Sequence, residues 1–162
     1  MATYQQIFAA LNDSKIRYII VGGVAMNLLG VARFTGDIDI LLALDEKNLL
    51  AMATLMKKMK YEKRVPISLD ELGDEKKVLD LIKKKNLIAY TFVNDSDPLH
   101  SIDVIIGDSL HFADFEKHSA QIPVWDISVP VVSVDDLIKM KKKTRRKKDD
   151  IDVSMLLQLK DL

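Results

Sequence analysis

The chain has 162 residues, 48% of them hydrophobic and 30% charged, a balance that suits one globular domain with a real core and excludes a disordered chain. Its 24 basic and 24 acidic residues cancel, so overall charge predicts no polyanion partner, although the charges are unevenly placed. The lack of cysteine excludes disulfides and thiolate metal sites and fits a reducing compartment.

The opening Met-Ala-Thr-Tyr-Gln-Gln carries neither the basic nor the apolar region of a signal peptide. Tyr18 to Ala32 is the most apolar stretch, but it is shorter than the roughly 20 residues of a membrane span. It is also interrupted by Asn27 and three glycines. These features predict a soluble, cytoplasmic protein with no membrane partner.

Thr3 followed by Gln6 forms a capping-box pattern, and Tyr4, Ile7, Phe8 and Leu11 fall at helical spacing, which predicts a first helix to about Asn12. Arg17 to Val21 is a β-branched and aromatic run that stops at Gly22-Gly23, as a buried strand would. Val24 to Leu29 suits a short helix ended by Gly30, and Thr35 to Ala43 reads as a second strand. Asp45 can cap a helix to about Lys60, with Met52, Met56 and Met59 on its inner stripe. Ser68 and Glu71 open another helix to about Lys85, with acids early and lysines late.

Leu87 to Val93 and His100 to Ile106 read as strands flanking the turn-rich Asn94 to Pro98, and Leu110 to His118 as a short helix. Two further β pieces fall between Ile122 and Val132. Ser133 then caps a helix that is expected to continue through the lysine- and arginine-rich run, with Ile151 to Leu159 packing back. The pattern predicts an α/β (α+β) fold, a mixed sheet flanked by helices. Residues 1–162 form a single domain that ends in a helical segment over about 133–162.

Three features carry chemistry. The glycine pair ends a strand and starts a helix, where unpaired N–H groups can meet a phosphate. Asp37-Ile38-Asp39 places two carboxylates on one face of a strand roughly 7 Å apart along the chain. Asp103, in Ser101-Ile-Asp-Val-Ile105, is a single acid in an apolar strand. If its strand neighbours the first, three carboxylates converge, at a cost that bound cations would offset. Between Lys139 and Lys148 nearly every residue is basic, and helical spacing predicts that Lys141, Arg145 and Lys148 share one side.

Together, the glycine pair, Arg33-x-Thr-x-Asp-Ile-Asp-Ile40, the distant Ile-Asp-Val, Leu137-Ile-x-Met-Lys141 and Arg146-x-Lys-Asp-x-x-Asp-Val153 resemble the nucleotidyltransferase superfamily related to DNA polymerase beta. Within it, they are most similar to the small prokaryotic AbiEii-type proteins of abortive-infection and toxin–antitoxin systems. The resemblance runs from about Tyr18 to the C-terminus. It implies a nucleotidyltransferase-like fold and a transferase that moves a nucleoside monophosphate from a nucleoside triphosphate, ATP included, to an acceptor hydroxyl.

On this resemblance Gly22 and Gly23 would lie in the triphosphate loop, and glycine at the second position lacks the serine hydroxyl often found there. Asp37 and Asp39 would bind two Mg²⁺ (or Mn²⁺) ions. Asp103 would bind one of them and help deprotonate the acceptor. Arg33, Lys141 and Lys148 would be phosphate contacts, while Asp149 and Asp152 serve that last motif or a structural ion pair. The acceptor stays open among a tRNA or other RNA, a protein hydroxyl and a small molecule such as an aminoglycoside, and an antitoxin is an expected partner. The alternative reading is a noncatalytic nucleotide- or RNA-binding module of the same fold.

Overall fold

A computed structural model describes residues 2–162. Its centre is a seven-stranded mixed sheet, composed of β1 (Tyr18–Val21), β2 (Ile38–Leu42), β3 (Glu62–Lys63), β4 (Ala89–Asn94), β5 (Asp97–Ile105), β6 (Ala120–Val124) and β7 (Ile127–Val131). The strand order is β3-β4-β5-β2-β1-β7-β6. β2 runs parallel to β5, and β1 parallel to β7, while β1 and β2 are antiparallel. This is the mixed α/β sheet that the element pattern predicts.

Register explains how one face becomes core and the other carries the chemistry. Side chains alternate along each strand, so residues paired across the sheet share a face. Tyr90, Val104, Ile40, Ile20 and Val131 form one continuous row, and Phe92, Ile102 and Ile38 a second; all are buried. The helices α1 (Tyr4–Asp13) and α3 (Glu46–Lys58) contribute Ile7, Phe8, Leu11, Met52 and Met56 to the same core. Asn48 of α3 is buried but satisfied. It accepts from Arg17 N–H at 2.8 Å and donates to the carbonyls of Arg17 at 3.0 Å and Ala43 at 2.8 Å, tying α3 to the ends of β1 and β2.

The intervening row, Thr91, Asp103, Asp39 and Val21, lies on the opposite face, one residue out of phase with the apolar rows. Helix α2 (Gly22–Leu28) begins directly where β1 ends, at the glycine pair itself rather than at Val24. Two further helices precede the C-terminal pair, α4 (Glu75–Lys85) and α5 (Phe112–Glu116).

Several expected elements are divided or shortened. The Ser68–Lys85 helix is a 3-10 turn, Leu69–Gly73, followed by α4, whose own cap Asp74 accepts from Lys76 and Lys77 N–H. β2 starts at Ile38, so Asp37 sits in the bend that leads into the strand. β5 begins at Asp97, which is 1% exposed and accepts from His100 Nδ1 at 2.8 and 2.9 Å instead of serving as an open turn residue.

The single C-terminal helix is two helices, α6 (Val134–Thr144) and α7 (Lys147–Lys160), separated by Arg145 in the left-handed region at φ 53. Lys141, Arg145 and Lys148 therefore do not share a helical face. The physical reason is a buried ion cluster. Lys141 Nζ lies 2.7 Å from Asp152 and 3.4 Å from Asp149. In an unbroken helix residues 141 and 149 would be about 12 Å apart along the axis, so the chain must double back to pair them. No described helix is long and apolar enough to cross a membrane.

Candidate active site

Asp39 and Asp103 meet as the sequence requires, as direct partners across β2 and β5. Asp37 joins them from the bend, where its Oδ1 accepts from Ser101 Oγ at 2.9 Å. Ser101 belongs to the Asp103 side of β5 by alternation, so strand periodicity alone could have identified it as part of the site.

Burial and mutual repulsion disfavour charge here. Desolvation, then Asp103, then Asp37 push the Asp39 carboxyl up to about 7, against the opposing pull of Lys141 and Arg146. Asp103 is raised as well, by burial and by Asp37, with the Thr91 hydroxyl working the other way. Its Oδ1 is buried without a hydrogen-bond partner.

The carboxylate oxygens fit a hard divalent cation such as Mg²⁺. The orphaned Asp103 Oδ1 and the raised Asp39 carboxyl are both features that a nearby positive charge would relieve. Among the described residues, however, no three acidic or imidazole side chains stand close enough together to form a ready-made cation cage. The matched set is the pair Asp39 and Asp103, with Asp37 turned toward Ser101.

The glycine pair is explained by crowding. Gly22 adopts φ +67, and a Cβ there would collide with the Asp39 carboxylate, so the backbone of the phosphate-loop candidate lies against the acid. A Cβ on Gly23 would come within 2.7 Å of Thr35 Oγ1. Thr35 thus occupies the space that a serine at position 23 would need.

The cations are brought in unequally. Arg33 is ion-paired to Asp152, and its backbone N–H donates to Asn27 Oδ1 at 2.7 Å. Lys141 is buried between Asp149 and Asp152 while still lowering the Asp39 pKa. Arg146 pairs with Asp149 at 2.8 Å, and the Thr144 hydroxyl donates to the same carboxylate. Burial pushes Asp149 up, but Thr144, Arg146 and Lys141 outweigh it and hold it below the usual carboxylate range. Asp149 and Asp152 thus hold the cations in place. Lys148, expected as a phosphate contact, is exposed on α7 outside this cluster.

Tyr4, legible in the sequence only as a helix-stripe residue, anchors the loop that delivers Asp37. Its hydroxyl faces the Thr35 and Gly36 carbonyls at 3.0 and 2.9 Å, and its ring meets His100 edge-on at 5.1 Å. No residue pattern could have pointed to it, because the contact spans more than thirty positions.

Comparison with known proteins bears on the fold and the family. The chain has no match among curated proteins by sequence. Several solved structures share its fold. A lincosamide antibiotic adenylyltransferase with lincomycin bound matches at TM-score 0.63 and 14% identity, over 98% of this chain and 98% of that one. ANT(2")-Ia in complex with adenylyl-2"-tobramycin matches at 0.57 and 14%, over 94% and 83%. A structure described as a nucleotidyltransferase from Thermotoga maritima matches at 0.58 and 16%, over 95% and 89%. The sequence model of the family described as "Nucleotidyl transferase AbiEii toxin, Type IV TA system" matches residues 6–162. The chain belongs to the AbiEii nucleotidyltransferase family.

Proposed function

We propose that the protein is a divalent-metal-dependent nucleotidyltransferase that moves a nucleoside monophosphate from a nucleoside triphosphate to an acceptor hydroxyl, in a toxin–antitoxin setting. The observation that carries this reading is the pairing of Asp39 with Asp103 across β2 and β5, with Asp37 beside them. Asp37, Asp39 and Asp103 would hold Mg²⁺ or Mn²⁺. When bound, the metal supplies Lewis-acid stabilisation of the charge that develops on phosphoryl oxygens.

The chain's own groups do the rest. The first amides of α2, at Gly22 and Gly23, lie at the positive end of the helix and would meet the β- and γ-phosphates. Lys141 and Arg33, fixed by Asp149 and Asp152, add cationic contacts, and their pre-set positions lower the reorganisation needed as charge moves to the leaving pyrophosphate. The carboxylate of Asp103 would take the proton of the attacking hydroxyl, whose oxygen bonds to the α-phosphorus as the bond to the β-phosphate breaks.

The test is label transfer from an α-labelled triphosphate in the presence of Mg²⁺. Asp39→Asn is expected to abolish transfer while the circular dichroism spectrum is kept. Transfer at the wild-type rate in that variant sinks the reading. The noncatalytic alternative predicts tight triphosphate binding with no Asp39-dependent transfer to any acceptor.

A further inference from the structure

Asp37 is the one acid of the site that no strand holds. Asp39 and Asp103 sit in β2 and β5, and the Gly22 backbone lies against Asp39. Asp37 lies in the bend before β2, where strand pairing does not restrict how its carboxylate turns. Among the described residues the Ser101 hydroxyl is the only hydrogen-bond donor to that carboxylate, at 2.9 Å.

The bend faces a part of β5 that outruns its partner. β2 and β5 first pair at Ile38 and Ile102, but β5 begins at Asp97, so Asp97 to Ser101 extend past the start of β2. Register carried one step beyond the ladder puts Ser101 opposite Asp37. This extension is itself fixed. Buried Asp97 pairs with His100 Nδ1, and the hydroxyl of buried Tyr61 donates to the His100 carbonyl at 3.2 Å.

The bend is also pressed onto the extension through its backbone. A Cβ on Gly36 would come within 2.7 Å of the Leu99 carbonyl oxygen. Gly36 is not in the left-handed region, so close approach, and not backbone conformation, calls for glycine there. Tyr4 closes the other side, with its hydroxyl at the Thr35 and Gly36 carbonyls and its ring edge-on to His100. A side-chain hydrogen bond and a backbone contact thus refer Asp37 to β5 independently of each other.

A carboxylate that ligates a cation is commonly oriented by an outer hydrogen bond, and losing that partner typically weakens metal binding by about 10–100-fold. We propose that Ser101 is a positioning residue for the divalent metal. Its hydroxyl fixes the Asp37 carboxylate through Oδ1 and leaves Oδ2 for the cation, and the Asp97–Ser101 extension is the platform beneath. The inference rests on the metal-dependent reading above.

The test reads Mn²⁺ binding by electron paramagnetic resonance, without turnover. Ser101→Ala is expected to raise the Mn²⁺ Kd about tenfold, and Ser101→Thr, which keeps the hydroxyl, to stay within about threefold of wild type. At saturating Mg²⁺ the Ser101→Ala kcat should approach the wild-type value, with the loss confined to the Mg²⁺ concentration for half-maximal transfer. Gly36→Ala lifts the bend off Leu99 and should weaken Mn²⁺ binding by about tenfold or more. That variant keeps the platform testable should Ser101→Ala fold poorly.

A Mn²⁺ Kd within about twofold of wild type in Ser101→Ala, or equal losses in Ser101→Ala and Ser101→Thr, overturns the role of Ser101. A lowered unfolding midpoint with unchanged Mn²⁺ affinity marks a purely structural serine and does the same. Wild-type affinity in Gly36→Ala removes the platform. If Asp39→Asn loses Mn²⁺ while Ser101→Ala keeps it, the positioning role falls and nucleotidyl transfer stands. Wild-type protein that binds no Mn²⁺ removes both.

Discussion

Asp39 and Asp103 stand opposite one another across the parallel pair β2 and β5, one residue out of phase with the buried row of Ile40 and Val104. Burial and proximity raise both carboxyls, and Asp39 reaches about 7. The fold holds two acids where neither ionises easily, which is a thermodynamic cost that cation binding can offset.

That cost gives an unusual pH dependence. The folded pKa of Asp39, about 7, lies above its ordinary 3.8, so the folded state holds a proton that the unfolded state has released. The metal-free protein is therefore expected to lose stability as pH rises from about 4 to above 7, by on the order of a few kcal/mol in total. Mg²⁺ should reverse the loss at pH 8. Denaturant titrations across this range, with and without Mg²⁺, check it. Asp39→Asn is expected to flatten the metal-free curve and remove the Mg²⁺ gain, and a wild-type curve that rises over the same window contradicts the expectation.

The glycines allow strain and site chemistry to be separated. Gly22 and Gly30 both have positive φ, +67 and +102, but an added Cβ meets the Asp39 carboxylate at position 22 and nothing within 4 Å at position 30. Gly30→Ala should cost about 1 kcal/mol in stability and leave transfer intact. Gly22→Ala should cost a similar amount of backbone strain and also displace Asp39, so that transfer falls at least a hundredfold. Thermal unfolding and transfer rates on the two variants decide this, and parallel losses in both would remove the special role of Gly22.

Much of the site was legible in the sequence because it depends on strand periodicity. Asp39 and Asp103 stand out as acids in apolar strands, and alternation fixes their face, whereas Asp37, expected on the same strand, lies in the bend before it. The glycine pair was legible as the junction of β1 and α2. The C-terminal helix was misjudged because local spacing cannot register a partner eight or eleven residues away. The attraction of Lys141 for Asp149 and Asp152 folds the basic run back at Arg145 and leaves Lys148 in solvent. Tyr4 was legible only as a helix-stripe residue and Thr35 only as a motif position, since their roles come from packing against residues distant in sequence.

The Lys141 cluster bears on how mutants should be interpreted. Lys141, Asp149 and Asp152 are 8%, 2% and 1% exposed, so Lys141→Met removes one cation from each buried carboxylate, leaving Arg146 on Asp149 and Arg33 on Asp152, and should destabilise the protein by about 1.5–3 kcal/mol. Lost activity in that single variant would therefore mix misfolding with chemistry. Adding Asp149→Asn removes one carboxylate that has lost a cation and should recover part of the stability, with transfer still absent. Denaturant midpoints and transfer assays on both variants check this. Recovery of transfer in the double variant would show that Lys141 acts through stability alone.

Tyr4 supplies the last prediction. Its hydroxyl bridges to the carbonyls of Thr35 and Gly36, directly ahead of Asp37, and its ring rests on His100, which Asp97 holds from beneath. Tyr4→Phe keeps the ring and the packing but releases the loop. One net hydrogen bond is worth about 1 kcal/mol, so the Mg²⁺ concentration for half-maximal transfer should rise about fivefold. The KM for the triphosphate at saturating Mg²⁺ should stay near the wild-type value, because the glycine pair and Lys141 are untouched. Mn²⁺ affinity, followed by electron paramagnetic resonance without turnover, should weaken by the same factor. A purely structural tyrosine would shift the unfolding midpoint and leave Mn²⁺ affinity unchanged, and that result would remove Tyr4 from the machinery that places Asp37.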